Sequence, residues 1–230
     1  MKTLGLLGGM SWESTSLYYQ ALNRLARERL GGQHSAKLLI WSSDFAPIAA
    51  LQAAGAWDEA SALLVQAAKA LEAAGADAIM ICANTMHLVA PQVAAAVGIP
   101  VLHIGEATAG AIKAADVKRP LLLATRFTME QSFYRDYLSA AGVDAVIPQP
   151  DERQQLHAII FEELVQGRFE PASRERVKAI CRRAIAADGA DGVIFGCTEF
   201  GLLLRPGDIA APVFDTALLH AEAGINFALG

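Results

Sequence analysis

The 230-residue chain is poor in most features that mark nucleic-acid binders, metalloproteins and membrane proteins. Lys plus Arg number 19 against 24 Asp plus Glu, a net charge of −5. No basic surplus exists to neutralise a phosphate backbone, so nucleic acid is not an expected partner. No apolar run reaches the ~20 residues of a membrane-spanning helix, so none is expected to enter a bilayer. The start, Met1-Lys2 and then Leu4 to Leu7, begins like a signal peptide, but Gly8-Gly9 and Glu13 end the apolar stretch early, and a cytoplasmic location is expected. Only three cysteines occur (Cys82, Cys181, Cys197), and none forms a CxxC pair. That spacing excludes a disulfide framework and gives no zinc cluster, so no metal is expected. Gly8-Gly9 lacks the GxGxxG pattern of a dinucleotide fingerprint, and no low-complexity linker divides the chain.

Apolar residues make up 53% of the chain and charged residues 19%, the composition of a folded protein with a sizeable core. Short apolar runs without alternation recur at Thr3–Leu7, Lys37–Ser42, Ala78–Ile81, Val101–Ile104, Leu121–Ala124, Ala145–Ile147, Val193–Phe195 and Val213–Phe214. Longer amphipathic stretches separate them, which predicts an α/β fold with parallel strands covered on both faces. The chain also echoes itself. Gly75-Ala76-Asp77 before the strand ending at Ile81 returns as Gly189-Ala190-Asp191 before the strand ending at Phe195. Ile99-Pro100-Val101-Leu102 returns as Ala211-Pro212-Val213-Phe214, and Leu121 to Thr128 is a weaker counterpart of the opening strand and turn. The preserved order predicts two similar α/β halves related by a pseudo-two-fold axis. Ligands of such sheets bind beyond the carboxyl ends of the strands, so a cleft with one cysteine on each wall is expected.

Cys82 and Cys197 are each expected directly after a strand, followed by Ala83-Asn84-Thr85 and Thr198-Glu199. At a strand-to-helix turn a thiol meets the amino end of the next helix, whose dipole and free N–H groups favour thiolate. The same N–H groups, with the Asn84, Thr85 and Thr198 side chains, suit a carboxylate. One such cysteine suggests a nucleophile; two on opposite walls suggest a pair of bases addressing both faces of one carbon. Cys181 falls on an apolar helix face with Val177, Ile180 and Ala184 and reads as core.

Gly8-Gly9-Met10-Ser11-Trp12-Glu13-Ser14-Thr15, Cys82-Ala83-Asn84-Thr85-Met86-His87 and Gly196-Cys197-Thr198-Glu199 closely resemble the aspartate/glutamate racemase family, and most of all its enterobacterial broad-specificity amino-acid racemases. The resemblance runs from Met1 to about His220. It implies a cofactor-independent racemase with two flavodoxin-like halves, Cys82 and Cys197 as catalytic acid and base, a first half completed by the C-terminal segment, and a homodimer. The expected halves are residues 1–98 with 209–230, and 99–208. Rival readings are a same-fold lyase or cis–trans isomerase, like arylmalonate decarboxylase and maleate isomerase, and a non-catalytic amino-acid-binding module.

Further residues are assigned to binding a small-molecule amino acid. Met10 and Ser11 lie on the Gly-Gly turn, Gln52 lies beyond the second strand, and Thr125 and Thr128 lie on the equivalent turn of the second half, while Ala83 lies next to Cys82. Glu199 is expected to support Cys197, where related glutamate racemases place a histidine; helix capping is the competing explanation. His87, His103 and Asp215 lie near strand ends and read as structural. Aspartate-specific members of the family place basic residues after the second strand and near the stretch here occupied by Leu164 to Gly167. Asp44 to Ala56 contains no Lys or Arg. A substrate's second carboxylate bound there would be desolvated and unpaired, so uncharged side chains are the expected substrates.

Overall fold

In the computed structural model, which describes residues 1–205 and 207–230, the apolar runs form parallel strands. They are β1 (Leu4–Gly8), β2 (Leu38–Ser42), β3 (Ala78–Ile81), β4 (Val101–Leu102), β5 (Pro120–Leu123), β6 (Gly192–Phe195) and β7 (Val213–Asp215). Their order is β2-β1-β3-β4 in one sheet and β5-β6-β7 in another. β1, β3, β5 and β6 are buried at every residue, as expected for parallel strands covered on both faces. β2 is an edge strand and its last three residues are exposed.

The chain divides into two compact units, Met1–Ile104 with His220–Gly230, and Gly105–Leu219. These bounds correct the expected ones near 98 and 208. Val101–Leu102 pairs with β3, so β4 belongs to the first unit; Val213–Asp215 pairs with β6, so β7 belongs to the second.

In the first unit, α1 (Trp12–Leu30), α2 (Phe45–Ala54), α3 (Trp57–Ala73) and α4 (Ala90–Ala96) accompany the four strands, with a 3-10 turn at Thr85–Val89. Leu64, Ala67, Ala68 and Leu71 of α3 pack in one core with Leu7, Ile79 and Ile81. Asp44 caps α2, its Oδ1 accepting the Ala46 N–H at 3.2 Å, so the stretch after β2 is helical. The C-terminal residues are tied in by Lys2 N–H to Ala228 O at 2.9 Å and His220 Nε2–H to Leu102 O at 2.8 Å. At Gly224 a Cβ would lie 2.6 Å from Met80 Sδ, so the helix packs closely on the side chains of β3.

The second unit holds α5 (Ile104–Ala114, from Gly105 onward), α6 (Arg126–Glu130), α7 (Ser132–Ala140), α8 (Pro150–Glu162), α9 (Pro171–Ala187) and α10 (Phe200–Leu203). α11 (Thr216–Leu229) contains the second boundary. Ala145–Ile147 makes only an isolated bridge, Val146 to Leu121, and is not a strand. That bridge lies on the side of β5 opposite β6, the place β2 takes beside β1. The Gly-Ala-Asp echo has a mechanical counterpart. Asp77 accepts the Thr3 N–H at 2.6 Å just before β1, and Asp191 accepts the Lys118 and Arg119 N–H groups, both at 2.8 Å, just before β5. Each aspartate sets the register of a central strand pair. The basic face of α9 is ion-paired rather than simply solvated: Arg174 grips Asp208 with two contacts of 2.7 Å, and Arg183 bridges Glu152 and Asp188.

Candidate active site

Two turns leave adjacent strands at the carboxyl edge of the first sheet. After β1, Gly9 adopts φ +83°, and a Cβ there would lie 2.2 Å from the Ser43 carbonyl oxygen. Glycine is required at that position. Its N–H donates to Thr15 Oγ1 at 2.8 Å, and Thr15 Oγ1–H donates to the Ser11 carbonyl at 3.0 Å. Ser11 caps α1 by accepting the Ser14 N–H. These bonds hold Met10 and Ser11, both buried, on the turn.

After β3, the Cys82 N–H extends the ladder to the Leu7 carbonyl at 2.9 Å. Cys82 is fully buried, with Sγ 3.8 Å from the Met80 carbonyl. Burial alone pushes this thiol far above the ordinary range. Asn84 and Thr85 follow and are buried, Asn84 without capping the 3-10 turn through its side chain. His87 fastens the turn: Nδ1–H donates to the Ala83 carbonyl at 3.0 Å, and Nε2 accepts the Ile104 N–H at 3.2 Å. Both bonds fix one neutral tautomer, in keeping with a structural histidine. Gln52 is buried rather than exposed, its Nε2 3.1 Å from Met86 Sδ, which ties α2 to the same turn.

The second unit repeats the plan on adjacent β5 and β6. Thr125 caps α6 as Ser11 caps α1, its Oγ1 accepting the Thr128 N–H at 3.4 Å. Beyond β6 the ladder bond to the Leu123 carbonyl, 2.7 Å, comes from Gly196 rather than from the cysteine. A Cβ on Gly196 would lie 2.9 Å from Ala124 Cβ. Cys197 is therefore one residue past the position that Cys82 holds. The expectation that both cysteines directly follow a strand is correct for Cys82 and is corrected for Cys197. Off the ladder, Cys197 is only half-buried.

Its surroundings differ as well. Cys197 Sγ–H donates to Glu199 Oε2 at 3.0 Å, and Thr198 Oγ1–H donates to the same oxygen at 2.6 Å. Glu199 is buried and makes no side-chain cap to α10, so capping does not explain it. The Cys197 thiol lies well above its ordinary range, first through burial and then through the Glu199 carboxylate, with a smaller contribution from Asp215. The Thr198 hydroxyl thus spends its proton on Glu199.

Burial dominates both thiols and opposes the expected helix-end activation; Cys82 is followed by a five-residue 3-10 turn that leads directly into α4, and Cys197 by the four-residue α10. Cys181 is core, as expected, with burial pushing its thiol up to about 12. Asp215, at the end of β7, was discounted from sequence. Strand pairing sets it beside Phe195 of β6, two residues before Cys197, a proximity no local motif advertises. Among candidate cations, Arg153 is occupied by Glu130 at 3.0 Å and the Pro148 carbonyl at 2.8 Å.

Each of the two α/β units thus carries a cysteine on a turn at the carboxyl edge of its own sheet. Residues 7–224 match the Asp/Glu/Hydantoin racemase family, and the chain belongs to it; racemases are isomerases. A Yersinia pestis structure described as an Asp/Glu racemase shares 46% identity at a TM-score of 0.91, with 100% of each chain covered. An aspartate racemase homologue from Pyrococcus horikoshii shares 36% at a TM-score of 0.86, again over 100% of both chains. The broad-specificity amino-acid racemase RacX of Bacillus subtilis is 23% identical over 97% of this chain and 96% of its own.

Proposed function

We propose that this chain is a cofactor-independent amino-acid racemase in which Cys82 and Cys197 act on opposite faces of one Cα. The observation that carries the reading is the pair of thiols on corresponding turns of two like units, in a chain of a racemase family. In one direction the thiolate of one cysteine takes the α-hydrogen as a proton. The electron pair of the broken C–H bond moves into the substrate carboxylate, and the thiol of the other cysteine returns a proton to the opposite face. The two cysteines exchange protonation states, and the reverse reaction uses them in opposite roles.

Burial raises both thiols, so forming the thiolate needs a positive charge nearby. The substrate's own ammonium supplies it, and activation of the base is thereby tied to occupancy. Backbone N–H groups of the Asn84-Thr85 and Thr198-Glu199 turns hold the carboxylate, with Met10, Ser11, Gln52, Ala83, Thr125 and Thr128 shaping the remaining walls. These fixed dipoles stabilise the charge that develops on the carboxylate, replacing the electron sink that a pyridoxal cofactor provides elsewhere.

Uncharged side chains suit this site best. Asp44–Ala56 carries no cation, and Arg153 is held by Glu130. Homoserine and other small or medium polar amino acids are the preferred class, with aspartate and glutamate slow. We further propose that the protein acts in the cytoplasm as a homodimer.

Purified protein offered a panel of L-amino acids, read by chiral chromatography, should form D-isomers of polar uncharged substrates without added pyridoxal phosphate. A pyridoxal requirement, or full activity in Cys82→Ala, contradicts the mechanism. A tenfold preference for aspartate or glutamate, about 1.4 kcal/mol, contradicts the specificity alone.

A further inference from the structure

The second unit carries an open groove to which the racemisation scheme gives no task. It holds about 440 Å³ and is lined by Glu106, Ala109, Gly110 and Lys113 of α5 and by Tyr137 and Ala140 of α7. Thr108 and Tyr134, whose hydroxyls meet at 3.5 Å, fasten the two helices together. Glu106, Gly110 and Lys113 are exposed. Seven residues apart, Glu106 and Lys113 stand on one face of α5, two turns and about 10 Å from each other along the axis. Neither makes an ion pair among the described residues. Gly110 sits between them in mid-helix, with open space where a Cβ would stand. Glycine weakens a helix interior, and no neighbour within the chain needs the room that it leaves.

We infer that this groove is the contact between two copies of the chain, with α5 of each packed antiparallel across a two-fold axis at Ala109–Gly110. The inference rests on the homodimer reading and deepens it by naming the surface. In a two-fold contact, whatever residue i does to j, j does to i. Positions 106 and 113 are equally far from the midpoint of Ala109–Gly110, so Glu106 faces the partner's Lys113 and Lys113 faces the partner's Glu106. The charges of this face thus complement themselves. A parallel pairing would instead set Glu106 against the partner's Glu106, which like-charge repulsion opposes. The small residues at the crossing let two backbones come close, and Gly110 is the smallest of them. A free amino acid is the wrong occupant. It carries its ammonium and carboxylate on a single carbon and cannot meet two charges that lie two turns apart.

The test is sedimentation of the full chain over a range of micromolar concentrations. The native protein should be a dimer. Glu106→Lys and Lys113→Glu each set like charges opposite one another at both contacts, and each should raise the dissociation constant at least about tenfold. The two variants mixed in equal amounts should form a heterodimer, because one copy then presents two lysines and the other two glutamates. The double exchange should restore the homodimer. Gly110→Leu puts a better helix former into open space; it should keep the far-ultraviolet helix signal and weaken the dimer by about a hundredfold or more. A dimer unmoved by these substitutions, or weakened without rescue in the mixture, overturns the interface and leaves a homodimer formed elsewhere. A native protein that stays monomeric overturns both the interface and the homodimer reading.

Discussion

The turn after β3 and the turn after β6 share a plan and differ in one residue of register. Cys82 continues the strand ladder and is sealed in the core; Gly196 takes that rung in the second unit, which moves Cys197 off the sheet and into reach of Glu199. A single small residue thus converts one buried thiol into a half-buried thiol with a carboxylate partner. Internal likeness kept a cysteine on the corresponding turn while leaving its register and electrostatics free to diverge. In a racemase that divergence is tolerated because an equilibrium constant of one makes kcat/KM equal in both directions, whatever the resting protonation state.

Removing either thiol is the harshest way to break the comparison. Cys82→Ala and Cys197→Ala should each lower kcat/KM by at least about a thousandfold, the range for losing a general acid or base. Near-equal losses sharpen the account; a loss confined to one variant reduces the site to one working thiol.

Gly9→Ala comes next. The first unit needs glycine where the Cβ would strike Ser43 at 2.2 Å, whereas the corresponding turn of the second unit is built with Ala124 and Thr125. The substitution should destabilise the fold by about 3 kcal/mol, read from thermal or urea unfolding. Unchanged stability would show that the turn relaxes.

Glu199→Gln addresses the partner that only Cys197 has. It should lower kcat roughly ten- to a hundredfold and shift the pH profile of alkylation at Cys197 to lower pH, with no change at Cys82. Equal shifts at both thiols would contradict the separation of the two turns.

The smallest expected effect separates the units by acid. The first unit buries His87 and His220 and half-buries His103; desolvation lowers all three, to about 4 for His103 and His220 and well below the ordinary value for His87. Tyr18 OH donates to His220 Nδ1 at 2.9 Å, a bond suited to the neutral ring. The unfolded chain takes up these protons first, near pH 6.5, so stability should be complete above that pH and decline as pH falls toward about 4. Urea midpoints across this window check it, and a flat profile contradicts it.

Much of the architecture was legible in the chain itself. Unalternating apolar runs gave the central strands, and the Gly-Ala-Asp echo gave the duplicated sheet core, because Asp77 and Asp191 do the same job in each. Ala145–Ile147 failed as a strand because pairing there amounts to one bridge. The α2 segment is hard to read because Pro47 resembles a loop signal, yet proline is tolerated in the first turn of a helix. At the candidate site, Cys82, Cys197 and their polar neighbours stood out by type and position. Asp215 did not, since its meaning depends on β7 lying beside β6, a long-range pairing that no local pattern encodes. The one-residue offset of Cys197 was present as Gly196 and acquires significance only through the ladder.

The central claim is that two thiols act on one carbon from opposite faces, and hydrogen exchange in heavy water tests it most directly. With a single L-enantiomer at early conversion, the D-product should carry solvent deuterium at Cα while the remaining L-substrate retains hydrogen, because the proton removed by one thiol is not the one delivered by the other. The same pattern should appear in mirror image when the D-enantiomer is the starting material. Substrate-derived hydrogen retained in the product, or deuterium entering recovered substrate as fast as product, would mean that one base serves both faces and would contradict the account.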